Sequence, residues 1–246
     1  MFMSTPYDEW SADLLEDLGA LAYKIASTDA NNVPFLRYLA RKGRPLILST
    51  AMCDLDEVRV SVDAIRSEGC DELVVLHCTG NYPATAENTN LRAMQTMHRE
   101  LGVPVGYSDH VPDNVNPIAA VALGAVVYEK HFTLDKGLPG PDHRTSLSPE
   151  ELAEMVRLIR LTETALGSAE KRALPSEAEN RRKLRKSVVA VADISAGSTI
   201  TREMLAIKRP GTGIAPVLVE RLVGRRALRA IAKDRLVDQA DVEGWE

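Results

Sequence analysis

Short, β-prone apolar runs alternate along most of the chain with segments whose apolar positions recur at helical spacing. The apolar runs predict strands at residues 2–5, 22–27, 45–50, 72–79, 104–109 and 125–133. The segments between them predict helices at residues 10–19, 33–43, 54–69, 91–102 and 116–124, most of them closed by glycine. Strict alternation of strand and helix favours a parallel sheet with right-handed crossovers.

A sixth helix is predicted to begin after Ser148, where the sequence reads SPEE. Ser148 suits the N-cap position, Pro149 suits the first helical position, and Glu151 completes a capping box. The last strand of the series is therefore followed by a helix, as the others are.

Polar residues collect at the carboxyl-terminal ends of the predicted strands. They are Ser4 and Thr5, Lys24 and Ser27, Ser49 and Thr50, His77 and Thr79, Ser108 and His110, and Glu129 and His131. In (β/α)₈ barrels this is the face on which active sites are built. An open doubly wound sheet would instead gather its site at one switch point.

The alternating part of the sequence is too short for a complete barrel. A complete barrel needs about 250 residues, whereas the character of this sequence changes near residue 168. We therefore expect residues 1–168 to form a TIM-type (β/α)₈ barrel that lacks its first two βα units, which would precede Met1.

The remaining sequence is of a different kind. Residues 169–185 are rich in charge and contain Pro175, and they are predicted to be a linker; a solvated helix is the alternative for their second half. Residues 186–246 contain short β-rich runs, with a weak internal repeat of DISAGSTITREML in AIAKDRLVDQADV. We expect a small β-rich domain there.

Composition narrows the class of protein. A net charge of −5 and a pI near 5.6 argue against a general nucleic-acid binder. Three cysteines without paired metal-ligand spacing argue against a disulfide framework. The sequence shows neither a signal peptide nor an apolar run of membrane-spanning length, so a cytoplasmic protein without a membrane partner is expected.

Two histidines end neighbouring predicted strands in the stretches GYSDH and EKHFT. Because successive strand residues point to opposite faces, Ser108 and His110 share a face, as do Glu129 and His131. The same alternation excludes a Ser-His-Asp triad from the adjacent residues 108–110. His110 and His131 together could bind a divalent metal ion, and the alternative is that each merely caps its strand with a hydrogen bond.

A second group combines one cation with several hydroxyls around the same mouth. Its members are Lys24, Ser27, Ser49, Ser108 and Thr5. This combination suits a phosphate ester.

The loop at residues 138–146 is stiffened by prolines and presents Asp142, His143 and Arg144 as candidate site residues. The alternative is that it is simply a rigid surface turn. The KRPGTG stretch at 208–213 lacks the features of a P-loop.

These residues occur within a series of motifs that resembles one family. STPYD, AYKIASTDANN, LILSTAM, LHCTGNYPA, GYSDH, EKHFTLDKGLPGPDHRTSLSPEEL and DISAGSTITREMLAIKRPGTGI follow one another in the order typical of the sialic acid (N-acetylneuraminate) synthase family, including its C-terminal antifreeze-like (SAF) domain. The resemblance implies a phosphoenolpyruvate-dependent transferase. Its members condense phosphoenolpyruvate with N-acetylmannosamine, with Mn²⁺ or Mg²⁺, and release N-acetylneuraminate and phosphate.

The resemblance also implies roles for individual residues. His110 and His131 match metal ligands, and Asp29 and Asp142 match catalytic groups. Phosphoenolpyruvate would be held by Thr5, Lys24, Ser27, Ser49 and Ser108, and the sugar by Asp29, Tyr82, Asp142 and Arg209. Arg209 matches an arginine delivered by a partner subunit, which implies a domain-swapped homodimer.

The sequence departs from the family pattern at three places. The two βα units expected before Met1 would carry an acidic residue and an asparagine of the site. Asp29 stands where glutamate is usual, and Gly80 stands where a polar side chain often meets phosphoenolpyruvate. Alternatives are therefore a synthase of legionaminic acid or of a 9-phosphorylated product, or a non-catalytic remnant.

Overall fold

The computed structural model describes residues 1–245 of the chain. It divides into two compact units, one formed by Met1–Ala169 and the other beginning at Glu170. Each unit has its own hydrophobic core. Within the described residues, no helix combines the length and the apolar character of a membrane span.

The first unit is built on a parallel sheet whose strands follow one another in chain order. They are β1 (Tyr23–Ile25), β2 (Leu46–Ser49), β3 (Leu73–Cys78), β4 (Val105–Asp109) and β5 (Tyr128–Lys130). Because the order never reverses, the sheet has no doubly wound switch point and forms a curled half-barrel wall. All strands present their carboxyl ends at one edge, which confirms the predicted α/β class.

Helices connect these strands and cover them. They are α1 (Glu9–Asp17), α2 (Val33–Arg41), α3 (Leu55–Arg66), α4 (Ala93–Leu101), α5 (Val115–Ala122) and α6 (Pro149–Leu166). The predicted start of α6 is confirmed: Ser148 Oγ accepts a hydrogen bond from the Glu151 amide at 3.3 Å, and the Glu151 carboxylate accepts one from the Ser148 amide at 2.8 Å. Both bonds satisfy amides that a helix start otherwise leaves unpaired.

Three predicted strands are much shorter than expected, and of the run 22–27 only Tyr23–Ile25 is strand. Residues 2–5 make only an isolated parallel bridge, between Ser4 and Tyr23, so the prediction of a full strand there is wrong. Phe2 is 71% exposed, and a segment whose apolar side chains stay in water gains little from ordering. In the run 125–133, only Tyr128–Lys130 is strand. The number of βα units in the complete barrel stays a prediction.

The core of the first unit lies between the sheet and its helices. Tyr23, Ile25, Leu48, Val75 and Tyr107 are completely buried on the sheet. Parallel strands that are covered on both faces read as near-continuous apolar runs. The apolar runs LILS and LVVL therefore predicted the positions of strands β2 and β3 correctly.

Gly106 permits a close approach between β4 and β5. A Cβ atom at this position would overlap the carbonyl oxygen of Val127 and lie 2.6 Å from Leu76 Cδ2. That carbonyl accepts the amide of Tyr107 at 3.0 Å, so it belongs to the pairing of the two strands. The absence of a side chain at residue 106 therefore lets the ladder form.

The second unit is small and rich in short β segments. Strands β6 (Ser187–Ala190) and β7 (Leu205–Lys208) pair antiparallel, and α7 (Ala178–Leu184) and α8 (Val219–Leu222) are short helices. Helix α7 lies in the segment predicted as a linker, in the half for which a helix was the alternative. The two segments of the predicted repeat are joined by an antiparallel bridge between Ile194 and Ile231.

We predict that Gly106→Ala destabilises the first unit, because the new methyl group would force β4 and β5 apart. Overpacking of this kind costs about 1–3 kcal/mol. Urea denaturation followed by far-ultraviolet circular dichroism measures the loss. Gly80→Ala is the matched control, since its nearest contact is the exposed side chain of Met52, 3.3 Å away. Equal stability of the two variants would contradict the prediction.

Candidate active site

A cleft of about 450 Å³ opens at the carboxyl ends of β1 to β5. Every strand of the sheet contributes to its wall, as expected of a barrel face. Predicted site residues that line it are Thr5, Lys24, Ser27, Ser49, Tyr82, Ser108, His110 and His131. The structure thus brings the predicted cation, the hydroxyls and the histidine pair into one cavity.

Lys24 lies at the floor of the cleft and is largely buried. Its ammonium group donates to the Ile25 carbonyl at 3.0 Å and lies 3.4 Å from Glu129 Oε2. The other carboxylate oxygen of Glu129 accepts the Ser108 hydroxyl at 2.6 Å. Lys24, Glu129 and Ser108 therefore form a polar line across the floor.

The hydroxyls of Ser27 and Ser49 differ in their surroundings. Ser27 Oγ accepts the amide of Ala51 at 2.9 Å. Ser49 Oγ is buried and has no hydrogen-bond partner among residues 1–245. Buried polar groups are nearly always paired, so an orphaned hydroxyl that lines a cleft with a lysine points to a polar ligand.

The two histidines lie next to each other just beyond the ends of β4 and β5. Their ring centroids are 5.3 Å apart, with the ring planes at 42°. His110 Nδ1 lies 2.8 Å from the Thr79 carbonyl oxygen. A carbonyl can only accept, so Nδ1 carries the hydrogen and the Nε2 lone pair of the neutral ring is left for a ligand. Burial lowers the pKa of His110, which keeps the ring neutral.

The histidine pair is not part of a larger ligand cluster. Within residues 1–245, no group of three or more His, Cys, Asp or Glu side chains is arranged to hold a metal ion. The pair can offer two nitrogen ligands, with the other positions left to water or substrate oxygens. This donor set is compatible with a catalytic ion, and the ion itself stays a prediction.

Tyr82 covers the histidine pair at the mouth of the cleft. Its ring centroid lies 3.9 Å from that of His110 and 5.6 Å from that of His131. Burial, with smaller contributions from Cys78 and Asp142, raises the pKa of Tyr82 to about 12. The phenol is therefore a neutral hydrogen-bond donor beside the rings at physiological pH.

Three predicted residues lie elsewhere. Asp29 is not among the residues that line the cleft in the described chain, and its carboxylate accepts the side-chain amide of Asn32 at 3.1 Å. Asp142 is exposed in the loop before α6, where its carbonyl accepts the amides of Thr145 and Ser146. Arg209 is exposed in the second unit, directly after β7. Their roles toward a sugar stay predictions.

Two features of the site went unassigned in the sequence. The alternation of β5 predicts that Glu129 shares a face with His131, but it does not reveal that Glu129 joins Lys24 to Ser108. On the opposite face, Asp109 and Lys130 form an ion pair at 2.6 Å. The sequence did contain a signal of this ion pair, since a residue of opposite charge, Asp109 or Lys130, directly precedes each histidine in GYSDH and EKHFT.

Comparison with known proteins places this site in a family context. The sequence model of the NeuB family matches residues 1–171, and that of the SAF domain matches residues 185–243. The N,N'-diacetyllegionaminic acid synthase of Legionella pneumophila is 49% identical over 229 residues, which are 92% of this chain and 64% of that protein. The chain thus spans less than two thirds of this relative's length.

One further match is to the sequence of a relative and another is to a solved structure. The N-acetylneuraminate-9-phosphate synthase of Mus musculus is 39% identical over 244 residues, 98% of this chain and 68% of that protein. The crystal structure of an N-acetylneuraminic acid synthetase from Leptospira borgpetersenii, in complex with citrate, is 34% identical with a TM-score of 0.67. That match covers 72% of this chain and 61% of the other.

We predict that replacing both His110 and His131 by alanine abolishes Mn²⁺ binding, because the pair would supply the nitrogen ligands of the predicted ion. Isothermal titration of Mn²⁺ into the full chain and into the double variant measures the effect. His98→Ala is the control, since His98 lies in α4 and contacts the Val103 carbonyl at 2.8 Å. Unchanged Mn²⁺ binding by the double variant would contradict the prediction.

Proposed function

The chain belongs to the NeuB family and carries a SAF domain, and on that premise we propose that it condenses phosphoenolpyruvate with an acetamido sugar to give a nonulosonic acid and phosphate. The observation that carries the proposal is the common cleft of Lys24, the serine hydroxyls and the histidine pair. An anion site and a site for a polarised aldehyde are both needed for this chemistry, and they need to be adjacent.

The anion site is where phosphoenolpyruvate would bind. Lys24 supplies one positive charge, and the hydroxyls of Thr5, Ser27 and Ser49 supply donors for phosphate or carboxylate oxygens. The Ser108 hydroxyl would join them on releasing Glu129. The unpaired hydroxyl of Ser49 would gain its partner from the substrate. Glu129 holds the Lys24 ammonium and the Ser108 hydroxyl in place between substrate turnovers.

His110 and His131 would hold a divalent ion, Mn²⁺ or Mg²⁺. The bond from His110 Nδ1 to the Thr79 carbonyl supports this role because it leaves the Nε2 lone pair free for a ligand. When bound, such an ion polarises the aldehyde oxygen of the open-chain sugar as a Lewis acid.

The reaction then has two bond-forming steps. C3 of phosphoenolpyruvate bonds to the aldehyde carbon as the C=O double bond opens and its oxygen takes up a proton. Water then adds at C2 with loss of a proton, and phosphate leaves by cleavage of the C2–O bond to give the ketone. The neutral hydroxyl of Tyr82 donates a hydrogen bond near the reacting end of the sugar. The family resemblance assigns further sugar contacts to Asp29 and Asp142, and to Arg209 of a partner subunit in a domain-swapped homodimer.

The acceptor sugar has more than one candidate. N-acetylmannosamine is the one predicted from the sequence motifs, and its 6-phosphate would correspond to the relative named an N-acetylneuraminate-9-phosphate synthase. An acceptor with two acetamido groups is favoured by a different observation. The relatives from Legionella pneumophila and Campylobacter jejuni, 49% and 41% identical, are named N,N'-diacetyllegionaminic acid synthases.

The test is a measurement of phosphate release from phosphoenolpyruvate in the presence of Mn²⁺ and each candidate sugar in turn. We expect release that depends on both substrates, and a product whose mass equals the sugar plus pyruvate. Competition between the sugars then identifies the acceptor. A folded chain that binds Mn²⁺ but releases no phosphate with any of them would favour the non-catalytic alternative.

We predict that Lys24→Met weakens the use of phosphoenolpyruvate, because the variant loses the positive charge of the anion site. A charge-assisted contact of this kind corresponds to roughly a 10- to 100-fold lower kcat/KM. Initial rates at varied phosphoenolpyruvate measure the change. Lys42→Met is the control, since it removes a similarly buried ammonium that pairs with Asp13 and Glu16. An unaltered kcat/KM for Lys24→Met would count against the proposed anion site.

A further inference from the structure

We propose that the buried ion pair of Asp109 and Lys130 is a positioning device that sets the separation and orientation of the His110 and His131 rings. The inference rests on the proposed function in so far as those rings hold a metal ion. Both residues border the cleft, but their charged groups are buried and bound to each other, so we take them to act through the histidines that follow them in the chain.

The pair lies where the strands end. Asp109 and Lys130 are direct partners in the parallel register of β4 and β5. They are the last residues of these strands, and each histidine is the next residue. His110 and His131 therefore lie beyond the regular hydrogen bonding of the strands. The His110 ring is bound to the Thr79 carbonyl, and the backbone that carries both rings needs a restraint of its own.

The pair is almost completely removed from water. The side chains of Lys130 and Asp109 are 2% and 0% exposed, and their charged atoms are 2.6 Å apart. The remaining capacity of the Asp109 carboxylate is used by Tyr128, whose hydroxyl donates at 2.6 Å, and by the Asn116 amide at 3.0 Å. A buried pair with satisfied partners is rigid, because any displacement leaves a charge uncompensated.

His110 is held on both sides by this pair. Asp109 precedes it, and the backbone of Val111 follows it. The Val111 amide donates to Asp109 Oδ1 at 3.1 Å, and the Val111 carbonyl accepts from the Lys130 ammonium. Both polar groups of the residue after His110 are thus bound to the ion pair, which restricts the backbone that carries the ring.

His131 is held by the pair on one side only. Its preceding residue is Lys130, and its own carbonyl accepts the amide of Leu147 at 2.9 Å. Because one ion pair restrains the residues before both histidines, it couples their positions. The 5.3 Å separation of the ring centroids is the result of this coupling. Groups that orient metal ligands typically change metal affinity 10- to 100-fold when removed.

The alternative is that the pair only stabilises the fold, and the variants are chosen to separate the two roles. Asp109→Asn removes one charge and leaves Lys130 unpaired. The double variant Asp109→Asn, Lys130→Met removes both charges, so no buried charge remains uncompensated, but the bond from residue 130 to Val111 is lost. Lys42→Met, which loses an ammonium that is 9% exposed, is the control for destabilisation elsewhere in the unit.

Two measurements are made on each full-length variant. The first is isothermal titration of Mn²⁺ at a temperature where the variant is fully folded. We expect the double variant to bind Mn²⁺ about 10- to 100-fold more weakly than the parent chain, and Lys42→Met to bind it normally. Normal affinity in a folded double variant would overturn the positioning role.

The second measurement needs no metal. Imidazole ¹⁵N spectra of the histidine-labelled, metal-free chain report which nitrogen of each ring carries hydrogen. The parent chain should show His110 with hydrogen on Nδ1, and the double variant should show a mixture. His98, which contacts the Val103 carbonyl through Nδ1, is the internal reference.

The two readouts separate failure of the inference from failure of the proposed function. A parent chain that binds no Mn²⁺ would remove the metal from the proposed function, and the change in the His110 spectrum would still decide the positioning role. An unchanged His110 signal in the folded double variant would overturn the inference, whatever the metal result.

Discussion

The close parallel pairing of β4 with β5 determines the geometry on which the cleft depends. It requires that residue 106 have no side chain, because the Val127 carbonyl occupies the space where a Cβ atom would lie. The resulting register sets Ser108 opposite Glu129 and Asp109 opposite Lys130. The histidines that follow are adjacent as a consequence.

The alternation of side chains along these two strands separates two electrostatic environments. On the cleft side, Glu129 links Lys24 and Ser108 in a setting open to substrate. On the helix side, Asp109 and Lys130 are sealed from water. The Glu129 carboxylate is partly exposed in the first setting, whereas both charged groups are enclosed in the second, so the cleft side is suited to exchange of ligands and the helix side to rigidity.

The chemistry of the cleft and the family membership support the same class of reaction. Lys24 and the orphaned Ser49 hydroxyl suit an anionic substrate, and the histidine pair suits an ion that polarises a carbonyl group. Under the proposed function, discrimination between acceptor sugars would fall to more exposed residues. Tyr82 is half exposed at the mouth of the cleft and Asp142 lies in an exposed loop, which are positions where relatives can differ without altering the sheet.

The sequence by itself determined the alternation of strands and helices, the capping box at Ser148 and the two histidines at neighbouring strand ends, because these features depend on local periodicity and local hydrogen bonding. The tertiary structure decided which groups meet. The single bridge at Ser4, the turn of Asp29 toward Asn32 and the partners of Glu129 and Lys130 were not predictable from spacing. Contacts across strands depend on register, and register is selected by the burial of whole strands rather than by any one residue.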